Sequence, residues 1–196
     1  QLLDVIQDEA EQNGTGMWTS QDAMAIQVPT PGIDAAVVAR NLSALQSERV
    51  AASQVLKVRM ARFKGDRAAI LSQLKGAMYA AMIFSYAQGM AQLRTASKVY
   101  GYGLNLDVVA RIWRGGCIIR AAFLEEITQA LQKNPLLPNL LMDEKFTRMI
   151  NDRQEAWRRV IKIGVENGIG LAAFSGSLGY SASYRRAQRP DRKSVV

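Results

Sequence analysis

Histidine is absent from this 196-residue chain and cysteine occurs once, as Cys117. Without histidine there is no imidazole acid–base chemistry, no Ser/His/Asp or Cys/His nucleophile, and almost no way to build a zinc site. One cysteine permits no internal disulfide, which fits a reducing, cytoplasmic setting. No window approaches the about 18 uninterrupted apolar residues of a membrane span. The start, Gln1-Leu2-Leu3-Asp4, has no basic segment of the export type. Gln1 is not an initiator methionine, and the opening pattern reads as the inside of a helix, as in a fragment of a longer chain. No strand-like alternation stands out. No glycine-rich phosphate loop lies between a strand and a helix, because Gly14-Thr15-Gly16 follows a helical pattern.

What is present describes a globular protein: 48% hydrophobic residues and a length that suits one domain. The net charge is +8. Residues 185–196 hold five of the basic side chains against Asp191, so half of that excess sits in the last twelve residues. A basic tail suits nucleic acid, but this one lacks interleaved aromatics, and nucleic-acid binding ranks last among the readings.

Helical periodicity runs through the chain and predicts an all-α fold of several helices around one long central helix. Leu2 to Gln12 reads as a helix that Gly14-Thr15-Gly16 breaks. Thr19 and Asp22 have capping-box spacing and open a short helix through Ile26. Thr30 and Pro31 start a helix from about Gly32 to Met60. Gly65-Asp66 caps the longest one, about Arg67 to Tyr100. Its stripe of Gly76, Ala77, Ala80, Ala81, Ala87, Gly89 and Ala91 lets neighbouring helices approach, with Met78 and Met82 as core filling. Asn105 caps the next helix, which runs through an elbow to Lys133. Asp143 opens a helix to Glu166, Asn167-Gly168 ends it, and Ala172 to Tyr184 is the last, followed by a disordered tail. The elbow, Ile112-Trp113-Arg114-Gly115-Gly116-Cys117-Ile118-Ile119-Arg120, combines aliphatics with two glycines and two arginines. It reads as a buried turn between helices whose arginines meet carboxylates.

These motifs resemble one family in their order. Gly14-Thr15-Gly16 with Trp18-Thr19, then Arg40 in Val-Ala-Arg-Asn-Leu-Ser, then Ser85-Tyr86-Ala87-Gln88-Gly89, then Trp113 to Arg120, then Trp157-Arg158-Arg159 are similar to the helical C-terminal domain of 6-phosphogluconate dehydrogenase. The resemblance spans residues 1–184. It implies a substrate and dimerisation domain from an enzyme that oxidises and decarboxylates 6-phosphogluconate to ribulose 5-phosphate, in the pentose phosphate pathway. It also implies a homodimer, with NADP and the catalytic lysine and glutamate supplied by a Rossmann domain that would precede Gln1. This chain alone is then expected to be inactive, with no catalytic and no cofactor-binding residue of its own. Arg40 is expected to bind the substrate phosphate, with Thr15 helping, because a guanidinium matches phosphate oxygens with a fork of donors.

The chain departs from the family at that site. Asn13 stands where a phosphate-contacting lysine is usual, and Met17 where a second lysine is usual. The family's tail arginine and histidine are missing, and Arg189 is only the nearest residue to that arginine. The ligand motifs are thus less well kept than the packing motifs. The alternative reading is therefore a non-catalytic remnant or paralogue serving as a helical assembly module.

Overall fold

The computed structural model describes residues 2–57 and 63–188. Among the described residues every regular element is helical, as the periodicity predicts. After a 3₁₀ turn at Leu2–Val5 come α1 (Thr15–Ala25), α2 (Pro31–Ser43), α3 (Gln46–Val55) and α4 (Arg67–Val99). Then follow α5 (Leu106–Trp113), α6 (Leu124–Lys133), a 3₁₀ turn at Leu140–Met142, α7 (Glu144–Asn151), α8 (Gln154–Glu166) and α9 (Ala172–Tyr184).

Helix α4 has 33 residues, about 50 Å of axis at 1.5 Å per residue. The Asp66 carboxylate accepts the Ala68 and Ala69 backbone N–H groups, satisfying two of the donors a helix start leaves open. Ala77, Ala80 and Ala87 are fully buried along it, so α8 and α9 pack close. A Cβ on Gly76 would sit 3.6 Å from the Ala156 methyl. Trp157 from α8 is wholly buried against Phe84, ring centroids 5.1 Å apart. Leu124 and Ile127 from α6 and Phe146 from α7 complete this core. Each such side chain contributes about 1.5–3 kcal/mol on leaving water.

Local signals placed several boundaries where expected. Asp143 accepts from Lys145 and Phe146 N–H, Gly168 turns out of α8 at φ +66°, and α9 has the expected limits. Other expectations are corrected. Residues 6–13 are not helical, and Ile6 is exposed. The helix expected from Gly32 breaks between Ser43 and Gln46, and its expected end at Met60 lies outside the described residues. The helix expected from Asp143 to Glu166 is two, because α7 stops at Asn151 and α8 starts at Gln154. Thr19 is not a cap. Its hydroxyl donates to the Thr15 carbonyl, 2.8 Å away, inside a helix that begins four residues earlier. Met78 and Met82 are 56% and 37% exposed, so they are not core filling.

The elbow does turn sharply, with Gly116 at φ +79°, a conformation glycine adopts without cost. Arg114 pairs with Glu125, and the Tyr86 hydroxyl donates to the Ile119 carbonyl. Burial raises the Tyr86 phenol above its ordinary value, with Cys117 nearby adding to it. The turn is not buried, however: Ile118 is 99% exposed and Arg120 is exposed. One face of the loop rests on α4, and among the described residues nothing covers the other. Part of the basic tail, including Arg189, lies outside the described residues.

Candidate functional site

Helix α1 starts abruptly. Gly14 is left-handed at φ +88°, its carbonyl accepts the Trp18 N–H, and no side chain caps the first turn. The N–H groups of that turn point out of the helix with its positive pole, an arrangement suited to an anion. Thr15 is exposed at this end, and Asn13 is exposed just before it.

Helix α2 lies against α1. A Cβ on Gly16 would come within 3.2 Å of Val37, one turn before Arg40. The Ser20 hydroxyl donates to Asp34 at 2.6 Å, and the Thr30 hydroxyl donates to the same oxygen at 3.1 Å. Thr30 therefore serves Asp34 and leaves the α2 backbone uncapped. That task falls to Gln88 of α4, whose buried carbonyl oxygen accepts the Gly32 N–H at 3.0 Å. Arg40 is exposed in the last turn of α2, where the negative pole suits a cation, and forms no ion pair among the described residues.

The flanking residues of the two segments are tied together. Gln12 donates to Asn41 at 2.5 Å, so the neighbours of Asn13 and of Arg40 are joined by a hydrogen bond. The structure thus brings the 12–16 turn and the 37–41 turn to one corner. Asn13, Thr15 and Arg40 all belong to it.

A second feature is an open cleft of about 600 Å³ between α1, α4 and the elbow. Its walls include Met82, Trp113, Ile118 and Ile119, with Asp22, Gln92 and Arg120 as polar members. Asn13, Thr15 and Arg40 do not line it. At the α1 side, Gln92 donates to Asp22 at 2.8 Å and to the Thr19 carbonyl at 2.9 Å, while the Tyr100 hydroxyl donates to Asp22 at 2.8 Å. This clamp couples α1 to α4 and its C-terminal cap across 70 to 78 residues of sequence. No sequence-local signal marks it. The bond to Asp22 raises the Tyr100 phenol above its ordinary value.

The donor set suits an anion. Among the described residues no strand leads into a glycine-rich turn and a helix. No group of three or more metal-ligating side chains gathers among them either. The fold is an all-helical scaffold domain, and at this corner it carries an exposed hydroxyl, a helix start without a side-chain cap and, among the described residues, a guanidinium without an ion pair.

The family model for the 6-phosphogluconate dehydrogenase C-terminal domain matches residues 1–192. The decarboxylating 6-phosphogluconate dehydrogenase of Synechococcus elongatus is 53% identical over 96% of this chain and 40% of its own length. That of Escherichia coli is 46% identical over 96% of this chain and 40% of its own. Among solved structures, Plasmodium falciparum 6-phosphogluconate dehydrogenase matches with a TM-score of 0.92 and 35% identity, over 98% of this chain and 42% of that one. That enzyme is described in its apo form and in complex with NADP+ and with 6-phosphogluconate. The chain belongs to the 6-phosphogluconate dehydrogenase family, as its helical C-terminal domain. It spans about 40% of the length of these relatives.

Proposed function

We propose that this domain forms one wall of the pocket for 6-phosphogluconate, with Arg40 and Thr15 holding the phosphate. The observation that carries the reading is the Gln12–Asn41 bond beside an unpaired, exposed Arg40. The guanidinium offers two parallel N–H donors to phosphate oxygens. The Thr15 hydroxyl and the open N–H groups of α1 offer neutral donors to the remainder. The parent reaction is oxidative decarboxylation to ribulose 5-phosphate, in the pentose phosphate pathway. NADP and the proton-transfer groups belong to an N-terminal domain, and the setting is cytoplasmic. A homodimer is the assembly we infer, supported by the uncovered apolar elbow and by Met78 and Met82 on the exposed side of α4.

Asn13 and Met17 favour a second reading, a helical assembly module that no longer takes the substrate. Each lost charge-assisted hydrogen bond weakens binding by about 1.5–3 kcal/mol, on the order of tenfold or more per contact.

Thermal unfolding with and without 6-phosphogluconate separates the two, since a ligand of the native state raises the melting temperature by mass action. A rise at millimolar ligand that disappears in Arg40→Ala is the expected result. The ligand-free melting temperature of that variant should stay where it was, because Arg40 is exposed and unpaired. No rise in the unsubstituted chain, and a rise in Asn13→Lys with Met17→Lys, would favour the module.

A further inference from the structure

We propose that Arg49 is the positioning residue of the phosphate corner. It acts through the segment 8–12 to hold Asn13 and Thr15 beside Arg40. The inference rests on the phosphate reading above for its functional meaning, but its geometry stands independently.

The segment before Gly14 has no helix to hold it, yet it is bonded at every second residue. Arg49 donates through Nη1 to the Asp8 carboxylate at 2.9 Å and through Nη2 to the Asp8 carbonyl at 2.6 Å. The Ala10 N–H donates to the Ser43 hydroxyl at 2.9 Å, and Gln12 donates to Asn41. Asp8, Ala10 and Gln12 thus fasten this segment to the end of α2 and the start of α3, two residues apart each time. The register is what counts. It delivers Asn13 and Gly14 to the level of Arg40, and a slip would carry Thr15 away from it.

Arg49 fixes that register because it reads both partners at once. Its Nη2 also donates to the Ser43 carbonyl at 3.0 Å, at the C-terminus of α2, where carbonyls have no partner within the helix. One planar fork therefore joins the strap, the end of α2 and the start of α3. A lysine ammonium lacks that fork. The ion pair itself is not the point: the Asp8 side chain is 82% exposed, and such pairs contribute little to stability.

The test uses this chain labelled with 5-fluorotryptophan, whose three tryptophans give separate fluorine resonances. The Trp18 ring lies 3.5 Å from where a Gly14 Cβ would be, so it reports the corner, whereas Trp157 reports the core. Arg49→Lys and Arg49→Ala should shift the Trp18 resonance, leave that of Trp157 in place and speed amide exchange at Ala10. Affinity for 6-phosphogluconate should fall about tenfold or more, as small misplacements of binding groups do. Asp143→Ala, which removes the α7 cap, serves as a stability control and should leave that affinity unchanged. An unmoved Trp18 resonance with unchanged Ala10 exchange in Arg49→Ala would overturn the proposal. So would full affinity in that variant, or an equal loss in the control. If the unsubstituted chain does not bind 6-phosphogluconate, the phosphate reading fails, and Arg49 is judged on the resonance and the exchange alone.

Discussion

Around α4 the chain buries Trp157, Phe84, Phe146, Leu124 and Ile127 in one continuous core. From residue 8 to residue 55, by contrast, Ala23, Thr30 and Gly32 are the buried residues. The first region is held by apolar area. The second is held by hydrogen bonds, from Arg49, Gln12 and Ser20 on its own side and from Gln92 on α4 and Tyr100 just past its end. A surface that receives a phosphorylated ligand must keep donors in reach of solvent, so it cannot be fastened by burial. The two regions meet where α2 packs along α9 and touches α4: there Gly32 of α2 lies against Gln88 and Ser177, and Gly176 of α9 lies against the Pro31 carbonyl, a seam of close backbone approach.

The contrast breaks most visibly in the core. Trp157→Ala should cost about 3–5 kcal/mol in denaturant unfolding, as large-to-small changes at buried aromatics do. Trp157→Phe should keep most of that, since among the described residues the indole N–H has no hydrogen-bond partner to lose. At the seam, a Cβ on Gly176 would meet the Pro31 carbonyl oxygen at 2.9 Å, a backbone atom that cannot rotate aside. Gly176→Ala should therefore cost about 1–3 kcal/mol. Three residues on, a Cβ on Gly179 meets nothing within 4 Å, and Gly179→Ala should stabilise by up to about 1 kcal/mol through helix propensity. Equal effects at these two positions would mean that the seam is looser than drawn.

The smallest effect is a slope with pH. The Tyr100 phenol is held above its ordinary value by its bond to Asp22. Its share of stability is complete below the unfolded tyrosine range and declines as pH rises through the folded value. Tyr100→Phe should flatten part of the alkaline fall in melting temperature. Burial raises Tyr86, Tyr180 and Tyr184 as well, and they should retain the rest.

Much of the core was legible in the sequence because its signals are local. Asp66 and Asp143 cap helices within three residues, and Gly168 ends α8 in place. The corner was not legible in that way. Arg40 and Thr15 were singled out through family resemblance. The bonds that assemble the corner run between residues 29 to 41 positions apart and leave no periodic trace. The break between α2 and α3 was missed for a related reason: no glycine or proline marks it, and the Ser43 carbonyl finds its partner in Arg49. At the elbow, the aliphatic Ile118 and Ile119 point to burial by residue type, but residue type alone does not say which side of a loop is covered.

Ile118 at 99% exposure has a colloidal consequence. Copies carrying a net charge of +8 repel one another at low ionic strength, which keeps their sticky elbows apart. Added salt shortens the reach of that repulsion to within about 10 Å at 0.1 M. The chain should therefore self-associate more readily in saline than in dilute buffer.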